Sequence, residues 1–377
     1  MKKLLLIIAL LSPALTFAQH KKPLPSTFNL VIGTYTTGAS KGIYVYRFYE
    51  DKGRVAYLNE IDDVTNPSYV TTSADNKFLY AVNEGPQGGV SSFTFDGKTG
   101  KMVFINKRPT QGADPCYILE DKEQRNIFIA NYTSGSLAVF PINKDGSIAP
   151  LSQLIQDSGS SVVKDRQEGP HVHNAILTNN EKYLLYTDLG TDKVNIMRYK
   201  ASKTPPLTPS DPASISVAAG NGPRHLVFSE GDKYLYLIQE IGGFINTYSY
   251  DNGNLKQIQS VSMLTPEMKG NIGSAAIKIS PDGKFLYASN RGNANDIVQY
   301  AIDPNNGTLT FVSRTSSLGK GPRDFAIDPS GKFLVVANQN SDSVLVYRLD
   351  PTTGKPGTIV TRLQVGNPVC LKFVPAE

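Results

Sequence analysis

The chain has 377 residues, with 38 Lys and Arg against 33 Asp and Glu and a formal net charge of +5. No lysine run or arginine-rich tail is present, so a nucleic-acid partner is not expected. At 40% hydrophobic and 19% charged, the composition excludes a disordered chain and a multi-span membrane protein.

The N-terminus reads as an address. Lys2 and Lys3 precede an apolar run from Leu4 to Leu11, Pro13 breaks it, and Thr16-Phe17-Ala18 precedes Gln19. This is the pattern of a secretory signal peptide cut after Ala18. The run is too short to span a bilayer, and no Cys follows it to carry a lipid. The expected organisation is a signal peptide over 1–18, a linker over 19–27 and one body over 28–377. The mature protein is expected to be exported, periplasmic or secreted, with no membrane anchor.

The body is one unit read repeatedly. The segments beginning at Asn66, Asp114, Gly169, Gly222, Ile272 and Gly321 share one plan. Each opens on small or polar residues, usually with a Pro, and continues with alternating apolar residues. A polar turn such as ADNK, NNEK, PDGK or PSGK follows, then a run of the type Phe-Leu-Tyr-Ala. Short apolar runs bounded by such turns are buried strands. The period of about 50 residues is that of propeller blades.

The two ends complete the pattern. The segment from Asn367 carries the first strand of a unit and stops; the segment from Phe28 supplies the other three. Six full units and this shared one predict a seven-bladed β-propeller, all-β, of four-stranded antiparallel blades. Mixing both termini in one blade removes the open edge.

Propeller topology brings the start of each first strand and the end of each second strand to one mouth of the central channel. First-strand starts contribute Ser68, Cys116, His171, His173, Arg224, His225, Arg323 and Asp324. Second-strand ends contribute Tyr35, Asn83, Glu84, Asn131, Tyr132, Asp188, Gln239, Glu240, Asn290, Arg291, Asn338 and Gln339. A purely structural repeat does not need different polar residues at equivalent positions, so this mouth is the expected pocket. Converging guanidinium groups suit a carboxylate or phosphate. A Glu or His beside them suits proton transfer, and an Arg aimed at a developing oxyanion suits acyl transfer to water.

Structural roles compete for the same residues. His171 and His173 are spaced to share one strand face, but only His225 is at hand as a third His ligand, so no metal and no other cofactor is expected. The recurring Asn at 131, 290 and 338 fits turn chemistry. Ser68 lies in no nucleophile elbow, and no Gly-rich nucleotide loop opens a helix. Cys116 and Cys370 fall in non-adjacent units and are expected to be free buried thiols.

Several motifs resemble those of the seven-bladed β-propeller lactonases, the family of cycloisomerase-type 6-phosphogluconolactonase, related to carboxymuconate-lactonizing enzyme. They are GTYT at 33–36, NPSY at 66–69, LYAVNE at 79–84, ANYTSGS at 130–136, PHVH at 170–173, TDLGTDKV at 187–194, GPRH at 222–225, SPDGKFLYASNRG at 280–292 and GPRDFAIDPSGKFLVVANQ at 321–339. The resemblance spans nearly all of the expected mature chain. It implies a catalytic set of His171 or His173, Arg224, Glu240 and Arg291; the expectation is His171, with His173, His225, Arg323, Asn338, Glu84 and Tyr117 binding substrate. Tyr117 stands where many relatives carry a His.

The implied function is metal-independent hydrolysis of a sugar lactone, with an Arg-stabilised oxyanion and Glu240 or His171 activating water. The implied partner is a small-molecule lactone of a sugar acid, acted on by a monomer. Two other readings stay open: a non-catalytic carbohydrate- or protein-binding periplasmic propeller, and a muconate-type lactonizing cycloisomerase.

Overall fold

The turns between first and second strands show why the repeat folds as it does. Their third residue is left-handed at Asn76 (φ 59°), Gln124 (56°), Glu181 (52°), Asp232 (59°), Gly283 (74°) and Gly331 (74°). A Ser, Thr or Asp before each turn accepts a hydrogen bond from the backbone N–H five residues on: Ser73 from Phe78, Asp121 from Asn126, Thr178 from Tyr183, Ser229 from Tyr234, Ser280 from Phe285 and Asp328 from Phe333. A short polar side chain thus closes each hairpin locally.

The computed structural model describes residues 26–376 apart from 269, 271 and 272. The expected signal peptide and most of the linker lie outside the described residues. The strands form seven four-stranded antiparallel sheets, the blades of a β-propeller. Blade 1 pairs Pro368–Pro375 with Thr27–Thr34, Ile43–Tyr49 and Arg54–Ile61. Blade 2 runs Val70–Thr72, Phe78–Asn83, Gly89–Phe95 and Met102–Pro109. Blade 3 runs Pro115–Glu120, Asn126–Asn131, Ser136–Pro141 and Gln153–Gln156. Blade 4 runs Val172–Leu177, Tyr183–Asp188, Lys193–Tyr199 and Leu207–Ser216. Blade 5 runs Pro223–Phe228, Tyr234–Gln239, Phe244–Asp251 and Asn254–Ser262. Blade 6 runs Ser274–Ile279, Phe285–Asn290, Asp296–Ile302 and Leu309–Ser316. Blade 7 runs Pro322–Ile327, Phe333–Asn338, Ser343–Leu349 and Pro356–Gln364.

Burial follows position in the blade. The second strand of blade 7 is buried at every residue, whereas the outer strand Asn254–Ser262 of blade 5 keeps most of its side chains in solvent. The tyrosine of the Phe-Leu-Tyr-Ala run ties neighbouring blades. Tyr236 donates to the Gly307 carbonyl at 2.9 Å and Tyr287 to the Gly354 carbonyl at 2.6 Å. Gly354 has φ 65°, and a Cβ there would lie 2.6 Å from the Tyr287 hydroxyl, so this turn needs glycine.

The ring closes through both chain ends. Ile32 pairs with Leu371 inside blade 1. Asp324 of blade 7 accepts the Leu371 N–H at 2.9 Å, and Phe48 of blade 1 packs edge-on against Phe333 of blade 7 at 5.7 Å. Cys116 and Cys370 are free and buried. Burial pushes the Cys370 thiol up to about 12, so it is inert packing. Among the described residues no helix is long and apolar enough to cross a membrane.

Candidate active site at the channel mouth

Two backbone features of the repeat aim side chains at the channel. The first is an irregularity near the start of the innermost strands. Pairing skips Cys116 in blade 3, His173 in blade 4, Arg224 in blade 5 and Arg323 in blade 7. Such bulges re-aim a side chain. All four skipped residues line the narrow neck of the channel, with Ser68, Tyr69, His225, Asp324 and Val369.

The second feature is the residue just after each second strand. Tyr35, Glu84, Tyr132, Glu240, Arg291 and Gln339 hold this position in six blades, and all line a cavity of about 480 Å³ above the neck. Cys116, His173 and Arg323 rise into it from the neck, and Arg166 enters from the loop between blades 3 and 4.

Glu240 is the hub. Its Oε2 accepts from Arg224 Nε at 2.7 Å and from Arg291 at 3.0 Å, while its Oε1 accepts from Arg166 at 2.6 Å. Burial alone pushes this carboxyl up, but Arg291, Arg224 and Arg166 outweigh it and hold Glu240 well below the usual carboxylate range. Arg224 is 2% exposed; it also donates to the Ala275 carbonyl at 2.7 Å and meets His225 Nε2 at 3.2 Å. Burial, then the neighbouring Arg291, lowers it to about 10, so it stays charged at neutral pH. Arg291 is fixed by the Gly273 carbonyl at 2.8 Å.

The histidines divide. Burial, then Arg224, drives both His173 and His225 well below 6.5, so both are neutral at physiological pH. Neutral His225 accepts from Arg224. His173 Nδ1 is buried without a protein partner. His171 is engaged elsewhere: Nδ1 lies 3.1 Å from the Tyr132 carbonyl and Nε2 lies 3.2 Å from Glu168. Its ring stacks on Tyr132 at 4.5 Å, and it does not line the cavity.

On the far wall Tyr35 donates to Glu84 at 2.8 Å, Ser68 donates to the same carboxylate, and Arg323 lies 5.4 Å over the Tyr35 ring. Burial pushes the Tyr35 hydroxyl up, so it remains a donor.

Of the residues singled out from the sequence, Glu84, His173, Glu240, Arg291 and Arg323 meet in this cavity, with Arg224 and His225 beneath it. Three lie elsewhere. His171 is held off by Tyr132 and Glu168, as above. Asn338 is fully buried and donates to the Ser317 carbonyl at 3.0 Å; Asn83 and Asn131 make the equivalent tie to Thr65 and Thr110. Tyr117 follows the bulge at Cys116, packs on Tyr69 at 4.2 Å and faces the opposite end of the channel. Arg166 was not singled out. Its signal was the length of its loop, residues 157–171, the longest connection between blades.

The family model described as "Lactonase, 7-bladed beta-propeller" matches residues 29–373. The chain belongs to the seven-bladed β-propeller lactonase family. It is an enzyme of the lactone-hydrolase class. The chain is 35% identical to a 6-phosphogluconolactonase of Formosa agariphila, over 86% of this chain and 94% of that one. It is 34% identical to the 6-phosphogluconolactonase of Bacillus subtilis, over 91% and 97%. The structure of a periplasmic gluconolactonase of Pseudomonas aeruginosa superposes with a TM-score of 0.89 at 38% identity, covering 93% of this chain and 100% of that one.

Proposed function

We propose that this protein hydrolyses the lactone of a sugar acid in the cavity around Glu240. One observation carries the reading: a carboxylate gripped by three guanidinium groups lies beside an uncharged imidazole, in a space open to water. Four arginines, 166, 224, 291 and 323, face two carboxylates, Glu84 and Glu240, at the cavity and its neck. The surplus of positive charge suits an anionic product and the oxyanion that precedes it.

The roles follow from the chemistry of the groups. Arg291, presented at the wall and braced by Gly273, donates to the lactone carbonyl as negative charge develops there. Neutral His173, which lines the cavity, takes a proton from the attacking water. The water oxygen bonds to the carbonyl carbon, the ring C–O bond breaks, and His173 returns the proton to the leaving ring oxygen. Glu240 stays ionised and stabilises the imidazolium while it exists. Tyr35, its proton committed to Glu84, and Glu84 itself offer acceptors to sugar hydroxyls. No step in this scheme calls on a metal.

The proposal sets the reaction outside the cytoplasm. The N-terminal signal pattern supports export, and so does likeness to a periplasmic gluconolactonase.

The test is a lactonase assay corrected for spontaneous hydrolysis, run with chelator on 6-phosphogluconolactone, gluconolactone and uronic-acid lactones. Arg291→Ala is expected to lower kcat by roughly 100- to 1,000-fold, the usual loss for one oxyanion donor. Turnover abolished by chelator would overturn the metal-free scheme. No turnover on any lactone would turn the reading to a binding propeller.

A further inference from the structure

Arg166 differs from the other guanidinium groups on Glu240 in origin, exposure and target. Arg224 and Arg291 come from strand starts and strand ends of the repeat and share one oxygen, Oε2. Arg166 comes from the loop 157–171 and takes the other oxygen, Oε1, alone. Its side chain is 38% exposed, against 2% for Arg224 and 19% for Arg291. Among the described residues its one other side-chain hydrogen bond is to the Tyr132 hydroxyl at 3.3 Å. The loop itself is pinned on either side, by Ser161 to Asp192 at 2.6 Å and by Gln167 to the Leu189 carbonyl at 2.9 Å. The guanidinium therefore has a firm base and a free reach over the cavity.

Arg166 is cheaper to detach than a fully buried partner, because its guanidinium already meets water while Glu240 stays buried. Arg224 and Arg291 keep Glu240 compensated through Oε2 when Arg166 leaves. An anionic group arriving from solvent meets Arg166 at the rim.

We infer that Arg166 is the specificity-determining residue for lactones that carry a second anionic group, phosphoryl or carboxylate, away from the reacting carbonyl. That group draws Arg166 off Glu240, and Oε1 then opens to order the attacking water beside His173. Recognition of the substrate's charge and exposure of the carboxylate oxygen become one event. A neutral lactone leaves Arg166 in place and reacts with the oxygen still capped. This inference rests on the lactonase reading, and its test separates the two.

Arg166→Gln removes the charge, and Arg166→Lys keeps it without the planar fork. Turnover is measured on 6-phosphogluconolactone and gluconolactone; binding of 6-phosphogluconate, glucarate and gluconate is measured by calorimetry. In Arg166→Gln, kcat/KM for the phosphorylated lactone is expected to fall about 10- to 100-fold, the usual range for a charge-assisted hydrogen bond. For gluconolactone it is expected to rise, and Arg166→Lys should recover part of the phosphorylated preference. Binding of 6-phosphogluconate and glucarate should weaken about tenfold more than that of gluconate. If 6-phosphogluconate alone weakens, the group read is phosphoryl; if glucarate weakens equally, it is either anion. Equal losses on ligands with and without the second anionic group would overturn the inference, and so would a wild type that binds neither 6-phosphogluconate nor glucarate. No lactone turnover with Arg166-dependent binding of 6-phosphogluconate or glucarate would sink the lactonase reading and overturn the catalytic part of this inference, leaving Arg166 as the contact for the second anion.

Discussion

Glu240→Gln isolates the charge at the centre of the site. The substitution keeps the side chain's size and one carbonyl oxygen. It leaves guanidinium groups that sat 2.6, 2.7 and 3.0 Å from a carboxylate without their counter-charge. Arg166 is 38% exposed and regains water, so its share of the loss is small. Arg224 is 2% exposed and does not. Removing one partner of a buried pair costs about 3–5 kcal/mol, and the low end applies because Arg291 borders an open cavity. The expected loss at neutral pH is therefore about 3 kcal/mol. Its pH dependence has a definite sign. Glu240 is held well below 4.5 in the folded protein, so its ionisation stabilises the fold in full above 4.5. Below that value each pH unit removes about 1.4 kcal/mol, until the folded carboxyl itself protonates. Titrating groups remote from Glu240 cancel in the difference, and His173 cancels with them while it stays neutral in both folded proteins. Urea unfolding of both proteins at about pH 7 and about pH 3.5 should give a gap that is smaller by about 1.4 kcal/mol at the lower pH. A gap absent at neutral pH, or equal at both, would refute the claim that ionised Glu240 holds the arginines in place.

His173→Asn is expected to lower kcat at least about 100-fold, whereas His171→Asn should lower the melting temperature first. Because burial and Arg224 hold His173 well below 6.5, wild-type kcat/KM should stay level as pH falls through 6.5 and drop only further down; an acid limb at or above 6.5 would contradict a neutral His173. Asp157, half-buried between Tyr186 and Asn195, is raised mainly by burial from 3.8 to about 7. Its folded form holds a proton that the unfolded chain has lost, so stability falls as pH rises through this window. Asp157→Asn should flatten that fall, measured as unfolding midpoints against pH; an unchanged slope would count against it.

The fold was legible because the repeat is written in groups with separate tasks. A Ser, Thr or Asp closes each hairpin, a tyrosine such as Tyr236 or Tyr287 reaches the next blade, and an Asn such as Asn83, Asn131 or Asn338 ties a strand end to a loop carbonyl. Alignment of the repeats exposes these tasks without coordinates. The same alignment blurs the site. Asn338 sits one residue before the cavity position held by Gln339, and one residue on a strand decides which way a side chain faces. PHVH offered two histidines of equal spacing, and the choice rests on a bulge at His173 that no hydropathy pattern records.

Arg166 marks the limit of reading by repetition. Among the described residues it has no counterpart in the other units, whose connecting loops are shorter than 157–171. Its partner Glu240 does have counterparts: Tyr35, Glu84, Tyr132, Arg291 and Gln339 occupy the same place in other blades. Those equivalent positions differ in charge and size while their backbone stays the same. A propeller can therefore vary its chemistry one blade at a time without disturbing the hydrogen bonds that close each blade. Substrate charge selection, carried by a loop outside the repeat, can then change with still less consequence for the fold. Relatives with the same Glu240-centred cluster and a different loop at 157–171 should share the reaction and differ in the lactone they prefer.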